Sequence, residues 1–305
     1  MKEGNRVFGI VKQVNEFELV VSLVDHHTAF VSCNRVSKHL ESVFKAFTAE
    51  DDAEESSGSP TVSPPTLKEF FKIGDSVVGT IVAVQGNTPN SEGKKRKRLE
   101  LSLIPAQVNS DLTVEDLETG MLLPGEIKSI EDKGYVIDLG LQKDVLGFLP
   151  FGPKEQEKAR IGSIVQCSVS SKKNSVITLQ SDSGIETEKS TLLKNYNSLR
   201  PGTLLSNVEV KAIHEGILNV LINDTHIGKI DIFNLPVPST MTNPKTQAAG
   251  ISANYFIGMK IPSARIVFAD CHVGAEEKSL ILSALPSVLA SNKVRCEIEA
   301  MSGGS

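Results

Sequence analysis

Between residues 125 and 150 the chain reads GEIKSIEDKGYVIDLGLQKDVLGFLP. In YVIDLG the residues Tyr135, Ile137 and Leu139 alternate with Val136 and Asp138. That period of two marks a half-buried strand and assigns the first three to a core. MLLPGEIKSI alternates upstream, and Gly134 opens the second run, where a glycine tolerates a bulge or a sharply bent strand. Gly147 begins a third short strand, and GSIVQCSVS and NSVITLQ supply two more. Five short strands in about 65 residues predict a small five-stranded barrel of the oligonucleotide-binding (OB) type.

The same pattern recurs. GNRVFGIVKQV at the N-terminus and RPGTLLSNVEVKAI near residue 200 repeat the apolar-Gly opening. A second opener appears three times, in FKIGDSVVGTIVAV, ARIGSIVQCSVS and YFIGMKIPSARIVF, and leads each time to a closing strand: KRLELSL, NSVITLQ or KSLILSAL. The chain therefore reads as an all-β tandem of three diverged units, at about 1–106, 112–182 and 196–287, followed by a tail over 288–305. Residues 50–66, EDDAEESSGSPTVSPPT, are acidic, Ser/Pro-rich and poor in apolar residues, which predicts a disordered insert. Before it, SKHLESVFKAF sets Leu40, Val43, Phe44 and Phe47 on one helical face behind a Ser37 cap. The prolines of LPVPSTMTNPKTQAAGISAN predict a long loop in the third unit.

Composition narrows the chemistry. With 305 residues, 40% of them hydrophobic, the chain is large enough for two or three cores. No apolar run reaches the roughly 18 residues of a membrane helix, and MKEGNRVFGI lacks a secretory layout, so a soluble intracellular protein is expected, with no membrane partner. Cys33, Cys167, Cys271 and Cys296 are far apart and form no CxxC pair, which predicts reduced thiols rather than disulfides or a zinc knuckle. The six histidines show no metal-ligand spacing, and no phosphate-binding loop, nucleophile elbow or HExxH occurs. No catalytic residue, metal, cofactor or small-molecule substrate is therefore expected. The formal charge of −5 requires any nucleic-acid footprint to be local.

A glycine and apolar strand, then I-x-D-x-G-x-x-x-D-L-G, GFLP, I-G-x-x-V and a final apolar-Ser strand together resemble the S-one RNA-binding domain. All three units fit, the middle one most clearly. The order of features is similar to that of the long S-one repeat arrays of eukaryotic ribosome assembly: an acidic insert in the first unit, a basic run before LELSLIPAQVN, SIEDKGYVIDLG, then LILSALPSVL. The resemblance implies binding of single-stranded pre-ribosomal RNA, partnership with other ribosome-assembly proteins, and a nuclear, nucleolar location.

In that family RNA lies across the second and third strands, stacked on outward aromatics, with a basic residue on the last strand. The resemblance implies RNA contact for Phe148 in GFLP and Phe30 in TAFVS, each ring contributing about 1 to 3 kcal/mol per stacked base. Lys229 in IGKID holds that position in the third unit, where it can meet a phosphate but not stack. The second-strand position reads Val20, Val136 and Leu218, so the family's other ring is replaced throughout. Lys94, Lys95, Arg96, Lys97 and Arg98 form a basic run, expected in a loop leading into the last strand, which can neutralise phosphates in a salt-sensitive way. Arg98 aligns with the family's basic residue, and Lys133 in SIEDKG completes the candidate contacts. Two readings stay open: an RNA-binding module, or a protein-interaction scaffold whose barrels have lost their stacking residues.

Overall fold

The computed structural model describes residues 1–50, 66–89, 95–141, 145–151, 159–173, 176–181, 193, 195–236, 254–270 and 279–290. Residues 51–65 of the acidic insert expected at 50–66, most of the proline-containing segment of the third unit, Lys94, Cys271 and residues 291–305 lie outside them. The strands are β1 (Arg6–Val14), β2 (Glu18–Ser22), β3 (Thr28–Ser32), β4 (Ser76–Pro89), β5 (Lys95–Ser102), β6 (Leu122–Glu131), β7 (Gly134–Asp138), β8 (Leu146–Pro150), β9 (Ile164–Lys173), β10 (Val176–Ser181), β11 (Leu204–His214), β12 (Ile217–Ile222), β13 (His226–Asp231), β14 (Lys260–Ala269) and β15 (Leu280–Ser283). Three helices accompany them among the described residues: α1 (Lys38–Glu50), α2 (Pro105–Val108) and α3 (Pro286–Leu289).

These strands close into three rings of five, and the expected tandem of OB barrels is the fold. Barrel one runs β1-β2-β3-β5-β4 and closes through β1–β4; barrel two runs β6-β7-β8-β10-β9 and closes through β6–β9. Barrel three runs β11-β12-β13-β15-β14 and closes through β11–β14. In each ring only the third and fifth strands pair in parallel. The alternation YVID does as expected, with Tyr135 and Ile137 inside barrel two and Val136 half-buried on its outer face.

Two local devices let such short strands close. Each first strand carries one extra residue at the same place, between Val11 and Gln13, Ile127 and Ser129, and Val210 and Ala212. A bulge there bends the strand so that its two halves serve both sides of the ring. The second device is the apolar-Gly opener before the fourth strand. Gly162 and Gly258 sit at φ 86 and 90, a backbone region that favours glycine. Gly162 N–H donates to Ile127 O at 2.8 Å while Ile127 N–H donates to Ser163 O, and Gly258, Val210 and Met259 repeat the exchange in barrel three.

The barrels are joined, not strung. Barrels one and three share an edge, where Arg6 and Val7 of β1 pair with Ala269 and Phe268 of β14. Barrels two and three share one continuous apolar cluster that includes Leu123, Leu139, Leu199 and Leu205. The linker after barrel one is a polar hub. Arg6 Nε donates to Val108 O at 2.7 Å and its guanidinium pairs with Asp111. Arg200, 2% exposed, reaches the same Asp111 at 3.1 Å, Val108 O at 2.8 Å and Asn109 Oδ1 at 3.1 Å. Asn109 Nδ2 in turn donates to Pro124 O and Leu139 O of barrel two. All three barrels thus meet at residues 108–111.

A second junction joins barrels one and two. Ser37 Oγ accepts from Leu40 N–H at 3.2 Å, as the expected cap does, but the first two amides of α1 have a partner from elsewhere. Lys38 N–H and His39 N–H donate at 3.0 and 2.9 Å to the carboxylate of Glu126 on β6, which is 5% exposed. A carboxylate on a helix N-terminus is favourable both as a hydrogen-bond acceptor and through the helix dipole. Beside it Arg160 pairs with Glu69, whose carboxyl is held below the ordinary glutamate range by the Thr66 amide and then by the Arg160 charge.

Candidate nucleic-acid interface

The outer face of each barrel is defined by register. Val20 lies opposite Phe30, Val136 opposite Phe148, and Asn219 opposite Lys229. The third pair corrects the sequence reading, which put Leu218 at this position. Leu218 is fully buried and faces Ile230. ILNVLI is apolar at both parities, so its alternation did not decide which residues face out, and a slip of one reverses them.

In barrel one Phe30 is half-buried and already covered. The guanidinium of Arg98, on β5, lies 4.1 Å from the ring centroid, and Glu18 at the start of β2 pairs with Arg98. The two expected contacts, Phe30 and Arg98, therefore form one unit, a cation stacked on a ring and held there by an acid. The basic run differs from expectation in its backbone. β4 extends to Pro89 and pairs Gln85 with Arg98, Thr88 with Arg96 and Pro89 with Lys95, so Lys95, Arg96, Lys97 and Arg98 lie on a strand of a long hairpin and not in a loop.

Barrel two differs at both supporting positions. Where barrel one has Glu18, barrel two has Gly134, and where barrel one has Arg98, barrel two has Val176, 54% exposed. Phe148, half-buried, lies over the bare glycine: a Cβ at Gly134 would stand 2.9 Å from Phe148 Cζ and would collide with Leu149 O. No cation stacks on Phe148 among the described residues. Lys133 is exposed in the turn before Gly134.

Barrel three has no ring at the position. Lys229 is exposed, Asn219 half-buried, and Ile217 stands where Glu18 and Gly134 stand in the others. The candidates are shared out among the barrels: Lys95 to Arg98 and Phe30 belong to barrel one, Lys133 and Phe148 to barrel two, and Lys229 to barrel three. Sequence reasoning missed Glu18, whose partner lies 80 positions away. Elsewhere, His26 and His27 lie exposed at the β2–β3 turn, and neither Cys33 nor Cys167 is in a disulfide. Among the described residues no group of three or more His, Cys, Asp or Glu could hold a metal ion, and no helix is long and apolar enough to cross a membrane.

Three closed five-stranded barrels with a ring or a cation at one outer-face position make this a tandem S-one repeat protein of the OB class. No family model matches the chain. It is 31% identical over 263 residues to the human Protein RRP5 homolog, covering 81% of this chain and 13% of that protein. It is 31% identical over 236 residues to the mouse Protein RRP5 homolog, covering 72% and 12%. It is 26% identical over 295 residues to the rRNA biogenesis protein rrp5 of Schizosaccharomyces pombe, covering 95% and 16%. The chain is an RRP5-type S-one-repeat region, and it spans less than a fifth of the length of these relatives. A crystal structure of a multidomain protein with nucleic acid binding domains from Streptococcus pneumoniae aligns over 92% of this chain and 73% of its own at 14% identity. Its TM-score of 0.19 carries no argument.

Proposed function

We propose that this region is a non-catalytic platform of rRNA biogenesis that holds single-stranded pre-ribosomal RNA on barrels one and two and positions it among other assembly proteins in the nucleolus. The observation that carries the reading is the outer face of barrel one, where Phe30 and Arg98 are stacked and the strand leading to Arg98 is basic. A base can continue that stack while a strand rich in Lys and Arg supplies charge to neutralise phosphates, a combination suited to sequence-tolerant binding of single strands. Phe148 offers a second ring on barrel two, with no cation stacked on it among the described residues. The names of the relatives, which are rRNA biogenesis proteins, supply the process.

The test is an anisotropy titration of the chain against a labelled single-stranded RNA at several salt concentrations. Micromolar or tighter binding is expected, with a steep salt slope that flattens when Lys95 to Arg98 are changed to alanine. Absence of binding at low salt would overturn the reading. A protein scaffold is then the better one, and the ring-free face of barrel three, with Asn219 and Lys229, favours it.

A further inference from the structure

Barrel three repeats the surface by which barrel two receives a helix, and no described residue covers it there. The paired backbone bonds fix the correspondence. Ile127 exchanges them with Gly162 and Ser163, Val210 exchanges them with Gly258 and Met259, and the residue before each is a glutamate: Glu126 and Glu209. In barrel two the Glu126 carboxylate takes the first two amides of α1, and the helix closes over the opener, so that a Cβ at Gly162 would stand 2.8 Å from the His39 ring. In barrel three a Cβ at Gly258 would meet nothing within 4 Å among the described residues. The flanking side chains follow suit: Ile161 is 43% exposed, while Phe256 and Ile257 are 65% and 66% exposed. Barrel one is no second example, because Ile10 stands at its glutamate position.

We infer that Glu209, Gly258 and the Phe256–Ile257 pair form a docking site for the N-terminal turn of a helix from a protein partner. The partner's chemistry is that of α1: two free amides for the carboxylate, a small polar cap such as Ser37, and an apolar side chain to cover Phe256 and Ile257. A second copy of this chain is a poor candidate, since its own α1 start is already held by Glu126. Lys211 Nζ lies 2.6 Å from Glu209 Oε1 and must turn away on docking. Both side chains reach solvent, so opening that pair is a small barrier. The inference stands apart from the RNA reading and does not depend on it.

The probe is a stapled, preformed helix with the sequence of residues 36–48, added to the isotopically labelled chain and followed by amide NMR. Saturable shifts are expected at Glu209, Gly258, Met259 and Lys260. Glu209→Gln should weaken binding by about ten-fold, since a charge-assisted pair of hydrogen bonds becomes a neutral one. Lys211→Ala should tighten it by about two-fold by removing the competing cation. No shifts at about 1 mM peptide, or binding indifferent to both Glu209→Gln and Ile257→Ser, would overturn the site. Both substitutions lie on the surface, and the unchanged spectrum of the rest of barrel three checks that it remains folded.

Discussion

Barrels one and two present the same ring in opposite settings. Phe30 lies under Arg98, with Glu18 holding the cation; Phe148 lies over Gly134, with Val176 where the cation would be. One ring is a member of a preformed stack and the other is a bare shelf. The comparison teaches that the aromatic alone does not define the face, because two neighbours decide whether the surface presents a ring or a guanidinium.

The largest break in this comparison is expected from Gly134→Ala. The new methyl has no room between Leu149 O and the Phe148 ring, so barrel two should lose about 1 to 3 kcal/mol in urea unfolding, whereas Glu18→Ala at the matching place in barrel one should cost less than about 1 kcal/mol. Next comes Phe148→Ala, which should weaken single-stranded RNA binding by about 1 to 3 kcal/mol in anisotropy titrations. Phe30→Ala should cost less, because Arg98 remains to cover a base. Smaller again is Glu18→Gln: freeing Arg98 should raise RNA affinity about two- to five-fold and steepen the salt slope. Equal effects of the two phenylalanine variants would remove the distinction between the settings.

The smallest effect concerns the contact where the two barrels meet. The Glu69 carboxyl is depressed, so its contribution is present above the ordinary glutamate pKa and is lost as pH falls through the lower folded value. An NMR titration of that carboxyl should show a midpoint below the ordinary range. Arg160→Ala should raise it only part of the way back, since the Thr66 amide is the larger cause.

The barrels were legible because closure depends on local signals: period-two alternation, paired openers and glycines. The outward placement of Phe30 and Phe148 on their third strands was legible from the same alternation. What joins the barrels was not. Glu126 sits in an alternating strand like any exposed acid, and only the arrival of α1, more than 80 positions away, makes it a cap. Arg6, Asp111 and Arg200 likewise carry no local pattern. The basic run was misplaced for another reason: GNTPNSEG, residues 86–93, has the composition of a loop, yet its first half, 86–89, lies in β4, where pairing on one side tolerates Pro89 at the strand end.

The edge shared by Arg6 and Val7 with Ala269 and Phe268 also sets a clock. A ribosome adding about 5 to 20 residues per second needs on the order of ten to fifty seconds between the two ends of that pairing. Barrel one can close early through β4, and the Arg6 guanidinium meets Val108 and Asp111 in the linker directly after it, but the outer edge of β1 must wait through two further repeats for its final neighbour. Barrel three therefore completes barrel one.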